Sequence, residues 1–273
     1  MTKLDDIPCG WAPLNDALYR RYHDTEWGVP ERDSRALWEK FQLDGHQAGL
    51  SWITILRKRE TMREEFDGFE PEKIARWTSK RIDKAMKNPG VIRSPVKIAA
   101  TIKNAQIYLD MAEKGEDFSD YVWGFVGDKP VVNRLEHWEK VQAKTPLSEQ
   151  IAKDMKRRGF KFCGPVIVYA VMQAMGMVND HEVRCPRHKE IQRAEKAARR
   201  AGSARCAVTN SRFGRLPCGA SLGGGIIPGT EHGRLCFHHA PHHHGRRCCG
   251  RQRCHHRWPA IGDEWRPQSR RPV

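Results

Sequence analysis

The chain has 273 residues, 39% of them hydrophobic, and a formal net charge of +15, so it is large enough to bury a core in one large domain or two small ones. The N-terminus lacks a signal-peptide pattern, and the longest apolar stretch, residues 164–178, is shorter than the ~20 residues that cross a bilayer. We therefore expect no secretion and no membrane segment. We expect a cytoplasmic protein in which paired cysteines bind metal before they form disulfides.

The charge is concentrated at one end of the chain. Residues 1–185 hold 30 Lys and Arg against 28 Asp and Glu, whereas residues 186–273 hold 18 against 5. No lysine follows Lys196, and six of the nine cysteines lie beyond residue 200. We therefore predict one folded domain over residues 1–190 and a separate basic tail, rich in Arg, His, Cys and Gly, over residues 198–273.

Helical periodicity runs through most of the first 190 residues. Ser34 can cap a helix that places Leu37, Trp38 and Phe41 on one side and ends near Gly45. Similar patterns cover residues 48–59, 96–111, 147–155 and 165–175, with turns at Pro30, Pro71, Pro89–Gly90 and Gly159. Alternating, strand-like runs are nearly absent, so the domain is predicted to be all-α.

The clearest local chemical signal lies near residue 180. His181 and Cys185 are four positions apart, so on a helix or a tight turn they face the same way, as half of a zinc site does. The alternative is a buried thiol that acts as a small hydrophobe beside a histidine that satisfies a core hydrogen bond. Cys9 and His23 are the Cys–His pair left near the N-terminus. All four together would form a closed Cys2His2 site that ties the two ends of the domain together.

Gly159 and Gly164 bound a short turn between two helical segments, with Lys161 inside it. Glycine lets a backbone approach a DNA phosphate, and the N-terminus of the following helix supplies N–H donors. Such contacts position a protein on DNA without reading its sequence. The alternative is an ordinary turn between helices. A second candidate hairpin is Pro89–Gly90, with basic residues nearby at Arg93 and Lys97.

Several segments resemble the 3-methyladenine DNA glycosylase I family, in the same order along the chain. They are residues 9–30, 43–56, 88–93, 97–100, 121–125 and 156–181, and the likeness extends over about residues 9–190. The resemblance implies a helix-hairpin-helix superfamily fold and monofunctional excision of 3-methyladenine. It also implies a monomer that acts on double-stranded DNA containing alkylated bases. The ligands of the family's structural zinc match Cys9, His23, His181 and Cys185.

Aromatic residues crowd the N-terminal third of the chain: Trp11, Tyr19, Tyr22, Trp27 and Trp52. An enzyme that acts on a base within a duplex must extrude that base into a pocket where aromatic faces stack on it. 3-Methyladenine is cationic while it is attached to its sugar, so electron-rich rings add a cation–π attraction of about 0.5–2 kcal/mol. We predict that these five residues form the base pocket. The alternative, strongest for Trp27, is plain core packing.

Asp44 is the predicted catalytic residue of this pocket. It matches a family position that is usually glutamate, and His46 stands where the family often has glutamine. A carboxylate there accepts hydrogen bonds from the base edge and favours its positive charge. Asp180 matches the catalytic aspartate of related helix-hairpin-helix glycosylases, but here we predict that it orients His181, and the alternative is a helix cap. The attacking group would be water, and no lysine is assigned to strand cleavage.

Two questions stay open at this point. The rival function is a catalytically idle nucleic-acid-binding protein that uses the same scaffold and its basic tail. The tail itself is predicted to be disordered, because its scattered apolar residues repeat at no structural period. Its alternatives are a nucleic-acid-binding arm or a metal site around Cys236, His238, His239 and Cys248–Cys254.

Overall fold

The computed structural model describes residues 7–212, with side chains described to residue 201. Within these residues the chain forms ten α-helices and two short strands. They are α1 (Ala17–Thr25), α2 (Ser34–Gln47), α3 (Trp52–Glu65), α4 (Pro71–Ile74), α5 (Ser79–Lys87), α6 (Pro95–Glu113), α7 (Phe118–Gly124), β1 (Val131–Val132), α8 (Pro146–Arg157), α9 (Pro165–Ala174), β2 (Val178–Asn179) and α10 (Pro186–Arg212). The prediction of a mostly helical domain is therefore confirmed.

Helix α2 is the centre of the core, because α3, α6, α7 and α9 all pack against it. Its residues Leu37 and Trp38 are fully buried, and Phe41 and Leu43 are almost so. These apolar positions recur at the spacing of one helical face, which explains why α2 is buried rather than lying on the surface.

The start of α2 differs from the sequence prediction. Asp33, not Ser34, is the N-cap, and its carboxylate accepts from the backbone N–H of Ala36 at 2.9 Å. Ser34 instead donates its hydroxyl to Asp117 at 2.8 Å and accepts from the N–H of Ser119 at 2.9 Å. Either residue type can cap a helix, and here the serine ties α2 to α7.

A small parallel β-ladder positions the segment that carries His181. Val131 and Val132 of β1 pair with Val178 and Asn179 of β2, and the pairing continues as a bridge between Leu135 and Glu182. The residues after β2 are thus fixed on both sides of position 181. Periodicity alone does not reveal two strands of two residues each.

Helix α10 runs to Arg212, past residue 198, where the basic tail was predicted to begin. Its sequence there is rich in Ala and Arg, which favour helix. The rest of the predicted disordered tail, including Cys236, His238 and His239, lies outside the described residues, so the domain boundary stays a prediction. None of the helices in the described part of the chain is both long and apolar enough to cross a membrane.

Candidate functional site

Four metal-ligating side chains from the two ends of the described chain meet in one buried cluster: Cys9, His23, His181 and Cys185. Their ligand atoms all lie within 4.8 Å of one another. The Cys9 Sγ atom is 3.3 Å from His181 Nδ1, and Cys185 Sγ is 3.7 Å from both His181 Nδ1 and His23 Nε2. Sulfur and nitrogen ligands on a tetrahedral zinc are about 3.6 Å apart, so the cluster has the dimensions of a zinc site.

The hydrogen bonds of the two histidines fix which ring nitrogen of each is unprotonated. His23 Nε2 accepts from the backbone N–H of Cys9 at 3.3 Å. His23 Nδ1 lies 2.7 Å from the carboxylate of Asp24, and His181 Nε2 lies 3.0 Å from the main-chain carbonyl of Trp27. Both partners can only accept, so these nitrogens carry the protons. The unprotonated Nε2 of His23 and Nδ1 of His181 then face the two sulfur atoms, as in carboxylate- and carbonyl-supported zinc sites.

The predicted role of Asp180 in orienting His181 is wrong. The Asp180 carboxylate instead accepts hydrogen bonds from Asn133, Tyr169 and Gln173, at 2.7, 2.6 and 2.7 Å. Its side chain is thereby held by the residue that follows β1 and by α9, and none of these partners is a ligand of the metal cluster. The carboxylate that orients a histidine of the cluster is that of Asp24, which follows His23 in the sequence.

Glu182 is a buried carboxylate that the sequence reasoning missed. It accepts from the backbone N–H groups of Gly10 and Trp138, at 3.0 and 2.8 Å, and it pairs with Arg184 at 2.5 Å. The backbone N–H of Glu182 itself points at Cys9 Sγ, 3.3 Å away. Glu182 therefore ties the Cys9 segment to the segment that carries His181. Its position between two ligands in the sequence was the available signal.

The two thiols of the cluster influence each other's ionisation. The hydrogen bond between them lowers the pKa of Cys185 and raises the pKa of Cys9, with burial opposing ionisation of both. Contacts with His181 and His23 also lower the pKa of Cys185. The two thiols therefore share a hydrogen bond in the buried cluster, and both would bind a metal as thiolates.

Trp11 stands at the centre of an aromatic wall beside this cluster. Its ring lies 4.9 Å from Trp27, 5.2 Å from Tyr19 and 6.4 Å from Tyr22. Trp138, which the sequence reasoning missed, adds a fifth ring 6.0 Å from Trp11. Four of the five aromatic residues predicted for the base pocket are thus brought together, and their tilted and edge-on geometries are the favourable ones.

Trp27 belongs to the metal cluster more than to the predicted base pocket. Its ring packs edge-on against His181 at 4.6 Å, and its carbonyl holds the same histidine. Trp27 is 6% exposed, and among the described ring contacts it meets Trp11 and Trp138 but neither Tyr22 nor Trp52. The core-packing alternative therefore describes Trp27 better than base binding does.

Tyr22, Trp52 and Asp44 form the second part of the site, built from α1, α3 and α2. The Tyr22 and Trp52 rings are 5.3 Å apart, and all three side chains are buried, with Asp44 only 3% exposed. Asp16 caps α1 by accepting from the N–H of Tyr19, which fixes the turn that presents Tyr22. Trp52 is the first residue of α3, so its position follows directly from where that helix begins.

Lys40 completes this pocket and was missed by the sequence reasoning. Its ammonium lies 2.8 Å from the Asp44 carboxylate and 3.7 Å from the centre of the Trp52 ring. Burial raises the pKa of Asp44, and the lysine opposes that rise, while burial lowers the pKa of Lys40. Lys40 and Asp44 are four positions apart on a helix, so their spacing was the signal that could have found the pair.

His46 faces away from the aromatic pocket. Its Nε2 lies 3.0 Å from the hydroxyl of Thr101, and its ring packs edge-on against Phe66 at 5.3 Å. Burial lowers the pKa of His46 to about 3, so the ring is neutral at pH 7. His46 is a core residue that contributes packing and one hydrogen bond, and it does not alter the surroundings of Asp44 directly.

The Gly-bounded turn between α8 and α9 is half-buried at Gly159 and Gly164 and exposed at Lys161. Gly159 has φ +97°, a conformation open to glycine, and Gly164 is the N-cap of α9 without a side-chain cap. The turn is held from behind by Asn104, which accepts from the N–H of Lys161 at 2.8 Å and donates to its carbonyl at 3.2 Å. The Lys161 side chain is exposed.

The second candidate hairpin, at Pro89–Gly90, is less suited to bind phosphate than the sequence suggested. Lys97 is not available, because its ammonium donates to the carbonyls of His46 and Ala48, at 2.9 and 2.6 Å, and so caps the end of α2. Arg93 is exposed. Of the two basic residues near this turn, Arg93 is the one whose side chain remains at the surface.

Comparison with known proteins finds relatives that match most of the folded domain. A family model described as methyladenine glycosylase matches residues 11–188. A DNA-3-methyladenine glycosylase of Haemophilus influenzae is 49% identical over 178 residues, which cover 65% of this chain and 96% of that protein. A solved structure of 3-methyladenine DNA glycosylase I superposes with a TM-score of 0.64 at 47% identity, covering 66% of this chain and 98% of that one.

A second solved structure shows a single-residue tyrosine-to-phenylalanine variant of a 3-methyladenine DNA glycosylase I in complex with 3-methyladenine. It is 38% identical, with a TM-score of 0.61, and covers 63% of this chain and 92% of that one.

Proposed function

Because this chain belongs to the methyladenine glycosylase family, we propose that it is a DNA-repair glycosylase that hydrolyses the N-glycosidic bond of 3-methyladenine in alkylated DNA. The observation that carries the proposal is the burial of the Asp44 carboxylate beside the rings of Tyr22 and Trp52. A buried anion beside aromatic rings is suited to a flat, positively charged base.

The pocket binds an extruded base by two kinds of contact. The Tyr22 and Trp52 rings supply π-faces for stacking, and the Asp44 carboxylate accepts hydrogen bonds from the base edge. The indole N–H of Trp52 is buried and has no partner among the described residues, so it is available to donate to a ring nitrogen. Trp11 and Tyr19 would form the outer wall of the same pocket.

Little acid catalysis is required of the protein in this reaction. The alkylated base is a cation and is therefore already a good leaving group, so extrusion, positioning and exclusion of bulk water account for most of the rate. The charge of Asp44 stabilises the cationic base as the bond to the sugar lengthens. Water is the attacking group. No lysine is assigned the Schiff-base chemistry that strand cleavage needs, so the enzyme is monofunctional.

The Gly159–Gly164 turn is the proposed contact with the DNA backbone, in a helix-hairpin-helix arrangement formed by α8 and α9. Three features support this role: the left-handed backbone at Gly159, the exposed Lys161 and the N-terminus of α9, which has no side-chain cap. The turn also lies close to the pocket in the fold. A Cβ added at Gly45, next to Asp44, would lie 3.3 Å from the Cβ of Phe162. DNA held at the turn is thus held near the pocket, and we propose that one chain suffices as a monomer.

We also propose that the Cys9, His23, His181 and Cys185 cluster binds one structural zinc ion. Four buried N and S ligands at tetrahedral spacing, with both histidine tautomers already fixed, support a closed site with no position left for substrate. The metal would join residues near the two ends of the folded domain, and its binding energy would be folding energy.

The experiment that tests the function is release of free 3-methyladenine from methylated duplex DNA, followed by chromatography of the liberated base. We expect release by the purified chain with no strand break until alkali is added. The rival, an idle nucleic-acid-binding protein, predicts DNA binding without free base. It is not favoured, since a scaffold has no need to keep a carboxylate buried next to two aromatic rings.

A further inference from the structure

One cation already lies in the pocket that we assign to a cationic base. The Lys40 ammonium is 2.8 Å from the Asp44 carboxylate and 3.7 Å from the centre of the Trp52 ring, with Tyr22 further away at 5.8 Å. The lysine side chain is 17% exposed and the aspartate 3%. Lys40 therefore uses the same two attractions, a carboxylate and a π-face, that would bind the base.

Asp44 is the carboxylate that engages this ammonium. Glu26 also attracts Lys40, but Arg59 already holds Glu26 through two nitrogen atoms at 2.5 and 3.1 Å. Lys40 and Asp44 thus form a buried pair whose net charge is zero. Removing one member of a buried ion pair leaves the charge of the other buried and unpaired, which destabilises the folded protein.

Resting on the proposed function, we propose that Lys40 is a specificity-determining residue that occupies the cation site formed by Asp44 and Trp52, so that base binding exchanges one cation for another. The ammonium must withdraw from the Trp52 face before the base can stack there and reach Asp44. Because Lys40 neutralises the Asp44 carboxylate before the base arrives, the pocket prefers a cationic base over a neutral one less than it would with Asp44 alone. Lys40 thus reduces the free-energy cost of burying the Asp44 carboxylate in the empty site, and it weakens the discrimination between cationic and neutral bases.

The test compares a cationic and a neutral ligand on the same protein. The probes are the 3,9-dimethyladeninium cation and neutral 9-methyladenine, with binding followed by tryptophan fluorescence at about pH 8, so that Asp44 stays ionised when its partner is removed. In Lys40→Met the chain length and apolar stem are kept and the charge is lost. We expect the dissociation constant of the cation to fall, relative to that of the neutral ligand, by about tenfold or more. In Lys40→Arg, which keeps the charge, we expect the parent ratio.

A purely structural role for Lys40 would weaken both ligands together and leave the ratio unchanged. An unchanged ratio in Lys40→Met, or a shift toward the neutral ligand, would overturn the proposal. If Lys40→Met does not fold, Lys40→Gln gives the same comparison with a polar, uncharged side chain. Base release from methylated DNA by the parent is measured in parallel. Failure of that release would contradict the proposed function, whereas the ratio reports on the cation site alone.

Discussion

The Nε2 atom of His181 lies 3.0 Å from the main-chain carbonyl oxygen of Trp27, and the two rings pack edge-on at 4.6 Å. This contact joins the metal cluster to the aromatic wall, because Trp27 in turn packs against Trp11 at 4.9 Å. The side chains that would hold zinc therefore also set the position of the ring beside the base pocket. Zinc in this protein would therefore affect base binding indirectly, by fixing the positions of Trp27 and Trp11.

The first prediction concerns metal content. The double substitution Cys9→Ser and Cys185→Ser should remove one zinc equivalent per chain from the purified protein, measured by elemental analysis. It should also lower the melting temperature sharply, since metal binding here contributes to folding. Cys163→Ser is the matched control, because that thiol is buried outside the cluster and its substitution should leave the zinc content unchanged. Equal zinc content in the parent and the double variant would refute the assignment.

The second prediction concerns acid stability. Burial lowers the pKa of His46 from 6.5 to about 3, so the unfolded state binds a proton that the folded state does not. The free energy of unfolding should therefore fall as the pH drops from 6.5 toward 3, and His46 should account for about 2–3 kcal/mol of that loss at pH 4.5. His46→Gln, which can still bond to Thr101, should flatten the profile in this window. Urea unfolding of both proteins at several pH values measures it, and parallel profiles would show that His46 is not responsible.

The third prediction separates two effects of glycine. Gly176 has φ +68°, and a Cβ there would lie 2.4 Å from the backbone nitrogen of Pro30. Gly115 has a similar φ of +76°, but a Cβ there would meet no atom within 4 Å. Gly115→Ala should cost about 1 kcal/mol from backbone strain, and Gly176→Ala should cost several kcal/mol more because the backbones must separate. Equal losses in chemical denaturation would mean that the close approach of residues 176 and 30 has no energetic weight.

The fourth prediction concerns the C-terminal segment. Residues 213–273 contain ten arginines and three acidic residues. A chain that ends at Arg212 should keep base excision and one zinc equivalent, while the full chain binds undamaged duplex DNA more tightly at low salt. The difference should shrink steeply as salt rises, because arginines act here by releasing counterions from phosphates. Loss of excision on truncation would make the segment part of the enzyme. Loss of a second zinc equivalent would favour the alternative site around Cys236, His238 and His239.

The sequence was a good guide to the identity of the site and a weaker guide to its connections. Helical periodicity and the order of the motifs predict α2, α6, α8 and α9, and the resemblance brings together the four ligands of the metal cluster. The partners of those residues could not be predicted. Asp180 was assigned to His181 because the two are neighbours in sequence, yet the short β-ladder turns its carboxylate toward Tyr169 and Gln173.

The role of Lys40 likewise could not be predicted from the sequence. An exposed Lys–Asp pair one helical turn apart is common on helix surfaces, where it contributes a few tenths of a kcal/mol. Only the packing of Tyr22 and Trp52 over this turn of α2 makes the pair buried and places its cation in the pocket. Which face of α2 is covered, and by which rings, depends on tertiary contacts between residues far apart in the chain.

The most direct test of the account is the single-turnover rate of 3-methyladenine release from methylated duplex DNA by the parent and by Asp44→Asn. Lys40→Met with Asp44→Asn serves as the control that leaves no unpaired buried lysine, since an uncompensated charge could itself disturb the fold. We predict release by the parent, a rate lower by about tenfold to a hundredfold in both Asp44 variants, and nearly equal DNA binding by all three. Release at the parent rate by both variants would contradict the assignment of Asp44 to the base, and no release by the parent would contradict the proposed function itself.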